Sequence, residues 1–193
     1  MPQDSSQPAR SPAARRIRSA VKNALWAASR HIALHGLCSW EHEQNWVLFE
    51  RRELPLRGLH PALAGLTIAH LSDVHCSPIM PPRSLRRYVE RVNAAEPDFV
   101  VVTGDFITAR QKNYARRAAA VTGALAPRIA TLAVLGNHDY GVWTPRLHSP
   151  SPGLARFLAD EFRRHGVVLL RNDSYIFRRG GGWLNFVGVG DLW

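Results

Sequence analysis

The sequence predicts an α/β fold with a largely parallel sheet, and three observations lead there. Short runs of Val, Ile, Leu and Ala alternate with amphipathic stretches of helical period from residue 66 onward. Those stretches are long enough to act as right-handed crossovers between parallel strands. Apolar residues make up 46% of the 193-residue chain, enough to bury a core and too many for a disordered protein.

Taken in order, residues 1–13 (MPQDSSQPARSPA) are rich in Pro, Ser and Gln and read as a disordered tail. Residues 14–45 form a basic N-terminal segment. Over 14–34, Ile17, Val21, Leu25, Ala28 and Ile32 recur at three- and four-residue steps, and Arg15, Arg16, Arg18, Lys22 and Arg30 supply charge. That is the pattern of a basic amphipathic helix. Residues 46–193 form the main domain. Within it, residues 46–55 read as a strand through Val47, Leu48 and Phe49, and residues 66–71 (LTIAHL) as a short apolar strand. Residues 82–93 follow as a helix with Leu85, Tyr88, Val89 and Val92 on one face. Residues 99–103 (FVVVT) suit a strand buried on both faces. An Ala-rich helix over 111–125 leads to a third buried strand, 129–135. Residues 152–165 are helical, and Gly166 stands where a helix C-terminus favours glycine. Residues 167–170, 175–177 and 184–189 read as further strands, the last two joined by a turn at 180–182 and paired antiparallel.

The formal net charge is +10, and residues 1–40 hold six Lys and Arg against the single acid Asp4, half of the total excess. A basic amphipathic helix can lie in a membrane interface with Leu25 and Trp26 on its buried side, or dock on its own domain. Arg30 and His31 interrupt the apolar core that a secretory signal needs. No apolar stretch reaches the length of a bilayer span. The chain is therefore expected in the cytoplasm or peripherally at the cytoplasmic membrane, with an anionic membrane surface as partner through residues 14–34. The Arg pairs at 86–87, 116–117, 163–164 and 178–179 read as solvated faces of their own elements, so nucleic acid is not the expected partner. Cys38 and Cys76 are too few for a disulfide framework, and Cys76 reads as a small buried apolar residue.

The chemistry collects where the three apolar strands end. The first runs into Ser72-Asp73-Val74-His75, the second into Gly104-Asp105, and the third into Gly136-Asn137-His138-Asp139. Asp73, Asp105 and Asn137 follow one another at 32-residue intervals. In open α/β sheets, ligands bind beyond the carboxyl ends of parallel strands, so these loops are expected to meet. Asp73 and His75 are two apart and share a face if the segment is extended. Asn137 offers a neutral oxygen, and His138 an imidazole that binds metal or moves a proton. Such mixed oxygen and nitrogen donors suit manganese, iron or zinc better than calcium.

The motifs DVH (73–75), GDF (104–106) and GNHD (136–139), in that order and spacing, resemble the calcineurin-like metallophosphoesterases. Residues 54–65 leading into SDVH, and the closing GVGDLW, are similar to the membrane-linked bacterial phosphodiesterase branch. The likeness covers residues 46–193 and implies a layered αββα sandwich-type fold. It implies two divalent metal ions: Asp73 and His75 on the first, Asp105 bridging, and Asn137 on the second. It also implies that His138 protonates the leaving oxygen and that Asp139 orients the His138 ring. Complete family members add histidines downstream, including a GHxH pair. The histidines after His138 here are His148 and His165, neither in such a motif. The chain thus reads as the N-terminal portion of the fold, with the second metal's ligand set incomplete and weak metal binding and low or absent activity expected. His165 reads as a cation at a helix C-terminus, His148 as a loop residue beside substrate, and Trp143 as a neighbour of the substrate pocket.

The leading expectation is a metal-dependent hydrolase of phosphate esters, a phosphodiesterase or pyrophosphatase. A membrane-linked nucleotide-lipid such as UDP-diacylglucosamine is the substrate that the branch resemblance suggests. The alternatives are a nuclease-like phosphodiesterase and an inactive module that interacts with a membrane surface.

Overall fold

Three five-residue strands form the centre of the computed structural model: β1 (Ile68–Ser72), β2 (Phe99–Thr103) and β3 (Ala130–Val134). They run parallel, and their pairing is flush, with Ser72 opposite Thr103 and Thr103 opposite Val134. A short β4 (Val168–Leu169) adds in parallel to β3, giving the order β1-β2-β3-β4. The strands are so short that their carboxyl ends form one level rim, from which the motif-bearing loops depart. The structure describes residues 21, 47–78, 80, 82–108, 110–142 and 151–190. The chain divides into two units, Met1–Trp46 and Val47–Trp193, and the fold below is that of the second. The tail and basic helix expected over residues 1–45 lie outside the described residues except Val21, as do Trp143 and His148.

Helices α1 (Pro82–Ala94), α2 (Lys112–Gly123) and α3 (Pro152–Arg164) are the crossovers. Each buries a stripe at helical spacing: Leu85 and Val92 from α1, Ala115, Ala118 and Ala119 from α2, and Leu154, Leu158 and Phe162 from α3. The alanines keep α2 thin enough to sit between its neighbours. Proline opens both α1 and α3, where a missing N–H costs nothing. Beyond α3, His165 is the C-cap and Gly166 takes φ of 72°, so that Val167 N–H can reach back to Phe162 O.

Alternate residues of the sheet serve two layers. Val100, Val102 and Ala133 join the helix-side core. Phe99 points the other way, into an antiparallel hairpin formed by β5 (Asp173–Arg179) and β6 (Gly182–Gly188). Its ring meets Phe186 at 4.8 Å, Phe177 at 5.2 Å and Tyr175 at 6.3 Å between centroids. The hairpin turns at Gly180 and Gly181, both with positive φ. The described residues therefore form helices, parallel sheet and hairpin in three layers, the α/β class that the alternation predicted.

One expected strand is absent. Residues 47–55 pair with no strand. Leu48 is 73% exposed, while Phe49 lies under the Arg91 guanidinium at 4.1 Å. Arg91 also donates to Val47 O. The Phe49 ring and the Val47 carbonyl make the contact with α1; a strand needs a neighbouring backbone to satisfy its own, and β1 does not supply one here.

Candidate metal centre

The loops after β1 and β2 keep pairing beyond the strands. His75 N–H donates to Asp105 O and Cys76 N–H to Phe106 O, each at 2.8 Å, and Cys76 and Ile107 form a parallel bridge. These bonds lock the two motif-bearing segments side by side. Asp73, His75 and Asp105 then adopt φ of 54°, 45° and 48°, the left-handed region that side chains with a Cβ rarely enter. Five non-glycine residues among those described have positive φ, and three of them are these. Such backbone costs on the order of 1–3 kcal/mol per residue and persists where surrounding structure over-determines it, often at functional sites. The left-handed turns, rather than the extended segment expected from the two-residue spacing, are what aim Asp73 and His75 together.

One ligand atom from each of Asp73, His75 and Asp105 lies within 4.8 Å of the others. His75 Nε2 stands 3.7 Å from Asp73 Oδ1 and 3.7 Å from Asp105 Oδ2. A cation with bonds of 2.0–2.2 Å holds its donors roughly 3–4 Å apart, so the three fit a metal with little movement. The other ring nitrogen, His75 Nδ1, is 3.0 Å from Thr108 Oγ1. That partner fixes the ring and leaves Nε2 toward the carboxylates, the second contact usual for a metal-binding histidine. Thr108 was not singled out from the sequence, and its position three residues after Asp105 was the available signal.

The turn after β3 joins from the other side. His138 N–H donates to Asp105 Oδ1 at 3.1 Å, leaving Oδ2 to face His75. His138 Nε2 lies 4.0 Å from Asp105 Oδ2, and its ring meets that of His75 edge-on at 5.1 Å. Asn137 Nδ2 donates to Val142 O at 2.7 Å, while Val142 N–H returns a bond to Asn137 O. With the amide nitrogen engaged, Oδ1 is the acceptor that Asn137 can offer to a cation. Gly136 is required by approach: a Cβ there would overlap Asp105 Oδ1 and come within 2.7 Å of Asp105 N.

Asp139 is fully buried. Its Oδ1 accepts Ile107 N–H at 3.1 Å and its Oδ2 accepts Gly136 N–H at 3.0 Å, tying the β2 loop to the β3 turn. Burial pushes its carboxyl up from 3.8 to about 7, against backbone hydrogen bonds from Gly136, Phe106 and Ile107 that lower it. Its hydrogen bonds thus reach backbone groups of two loops, and orientation of the His138 ring remains a proposal. Cys76 is buried and free, its thiol pushed to about 12 by desolvation, as suits an apolar role.

The rim of the parallel sheet thus gathers carboxylates, imidazoles and a carboxamide, donors that suit a divalent cation. The sequence profile of the calcineurin-like phosphoesterase family matches residues 66–192, and the chain belongs to that family. Among its relatives, a transmembrane protein with metallophosphoesterase domain from Danio rerio is 33% identical over 148 residues, covering 72% of this chain and 30% of that one. The UDP-2,3-diacylglucosamine pyrophosphatase LpxG of Chlamydia muridarum is 32% identical over 93 residues, 48% of this chain and 28% of that one. The phosphodiesterase YaeI of Escherichia coli is 25% identical over 130 residues, 67% of this chain and 45% of that one. The chain spans less than half the length of each of these relatives. Among the described residues, no helix is long and apolar enough to cross a membrane.

Proposed function

We propose that this chain carries the catalytic centre of a metal-dependent hydrolase of phosphate diesters or diphosphates. The observation that carries the reading is the convergence of Asp73, His75 and Asp105 within 4.8 Å, on backbone held in the left-handed region. Asp73, His75 and Asp105 would hold a first divalent cation, and Asp105 with Asn137 a second. Manganese, iron or zinc suits that donor set. Bound there, the cations would supply Lewis acidity toward the phosphoryl oxygens and toward water.

The chain's own residues do the rest. Thr108 keeps His75 Nε2 turned to the carboxylates. The His138 backbone N–H holds Asp105, the acid that would serve both cations, against the β3 turn. His138 stands beside the carboxylates with its side chain 21% exposed, reachable by substrate. It gives a proton to the departing oxygen, which makes an alkoxide or phosphate a better leaving group. Asp139 holds the two loops at fixed separation through Ile107 and Gly136.

For the substrate, we favour a membrane-linked nucleotide-lipid such as UDP-diacylglucosamine. Support comes from the name of the Chlamydia relative and from the basic residues concentrated in positions 1–40. The test of the reaction class is hydrolysis of bis-p-nitrophenyl phosphate with and without manganese. Manganese-dependent turnover that Asp105→Ala abolishes is the expected result. Equal rates in chain and variant, or no turnover at all, would sink the reading for this chain.

A further inference from the structure

We propose that Arg171 binds a second anionic group of the substrate, beyond the phosphorus that reacts, so that the site selects diphosphate compounds over simple monophosphates. The inference rests on the reading of the centre given above and deepens it. β4 runs parallel to β3, so its carboxyl end opens on the same rim as the metal-binding loops. The register pairs Ala133 with Leu169, and Leu170 N–H still bonds Ala133 O at 2.8 Å. Arg171 follows Leu170 directly, so the chain carries it off β4 at that rim, on the flank of the strand that delivers Asn137 and His138.

Its guanidinium is held but not neutralised. Arg171 Cζ lies over the Tyr140 ring, 5.3 Å from the centroid, and Tyr140 is itself buried two residues after His138. That contact uses the ring and none of the guanidinium N–H groups, whose planar array suits bidentate phosphate recognition. No carboxylate among the described residues pairs with Arg171, which is exposed. Several other arginines have partners of their own. Arg163 and Arg164 bond Asp160 and Glu161 on their own helix, and Arg179 bonds Ala62 O and Ala64 O. On the other flank of β3, Arg110 from the β2 loop donates to Gly141 O through Nε and Nη2. Two guanidinium groups thus meet the 137–142 turn, Arg110 by hydrogen bonds to Gly141 O and Arg171 by its contact with the Tyr140 ring. Next to it, Asn172 Oδ1 accepts Gly190 N–H at 2.7 Å, which fixes the backbone that carries Arg171.

The test compares binding of two probes by isothermal titration in manganese: adenosine 5′-(α,β-methylene)diphosphate, which cannot be hydrolysed at the bridge, and adenosine 5′-monophosphate. The wild-type chain is expected to prefer the diphosphonate about tenfold, the scale of one charge-assisted hydrogen-bonded contact. Arg171→Ala should erase that preference through weaker diphosphonate binding while monophosphate binding changes by less than about twofold, and Arg171→Lys should restore part of it. Equal loss for both probes in Arg171→Ala, or a preference that survives it, overturns the proposal. Asp105→Asn separates the two readings. If wild type shows no preference yet Asp105→Asn weakens both probes, the metal centre stands and the Arg171 proposal falls. If neither probe binds wild type, both fall.

Discussion

Replacing Gly136 by alanine tests whether the β3 turn is built around Asp105. A Cβ at Gly136 would overlap Asp105 Oδ1, approach Asp105 N to 2.7 Å, and meet Gly104 Cα at 3.0 Å. Two of those three atoms are backbone, so no rotamer change relieves the contact; the β2 loop has to move away from the β3 turn. Overpacking of this kind costs about 1–3 kcal/mol. For a domain of about 150 residues that is a fall in Tm of roughly 3–9 °C. The movement also breaks the geometry in which His138 N–H holds Asp105 Oδ1, so manganese affinity should drop by about 10–100-fold, as when a ligand loses its supporting contact. Gly153→Ala is the control: nothing lies within 4 Å of a Cβ there, and within α3 alanine is favoured over glycine by roughly 0.5–1 kcal/mol. Melting by circular dichroism and a manganese titration read both effects. A Gly136→Ala chain that melts and binds manganese like wild type would refute the packing argument.

Three further outcomes follow from the packing and the burial. Phe99→Ala removes the ring that joins sheet to hairpin and should cost about 3–5 kcal/mol; a loss under about 1 kcal/mol by urea titration would show the hairpin docks without it. Asp139 is raised from 3.8 to about 7 in the folded chain, so between those values the folded state keeps a proton that the unfolded state has lost. Its contribution to stability therefore declines as pH climbs from about 4 through about 7 and is level above. Metal-free Tm measured at pH 5.5 and 8 should show a decline that shrinks in Asp139→Asn, and an unchanged decline would contradict the assignment. In a Cys38→Ser background, Cys76 should resist a thiol reagent at pH 8 until denaturant is added, because its thiol is buried and pushed to about 12; ready labelling of the folded chain would count against that burial.

Much of this arrangement was legible in the sequence, for identifiable reasons. Residues 99–103 are apolar throughout because both faces of β2 are covered, and the strand matches its expected bounds. The helices showed through their stripes, with ends within a residue or two at α1 and α3. The three motif loops could be placed together because parallel strands put their carboxyl ends on one rim. Residues 47–55 misled because an apolar run reads as a strand whether or not a neighbouring backbone is there to pair with it. The left-handed backbone at Asp73, His75 and Asp105 was illegible, since none of them is glycine and only the inter-loop hydrogen bonds impose it. The same holds for the backbone partners of Asp139, which depend on two loops 32 residues apart.

The central claim is that Asp73, His75 and Asp105 form a cation site as a unit. Titration of manganese into the chain, with the free-ion signal followed by electron paramagnetic resonance, tests it directly. Wild type is predicted to take up manganese, with Asp105→Ala and His75→Ala each losing that uptake while keeping the wild-type circular dichroism spectrum. Uptake that is the same in all three, or absent from wild type, would contradict the account.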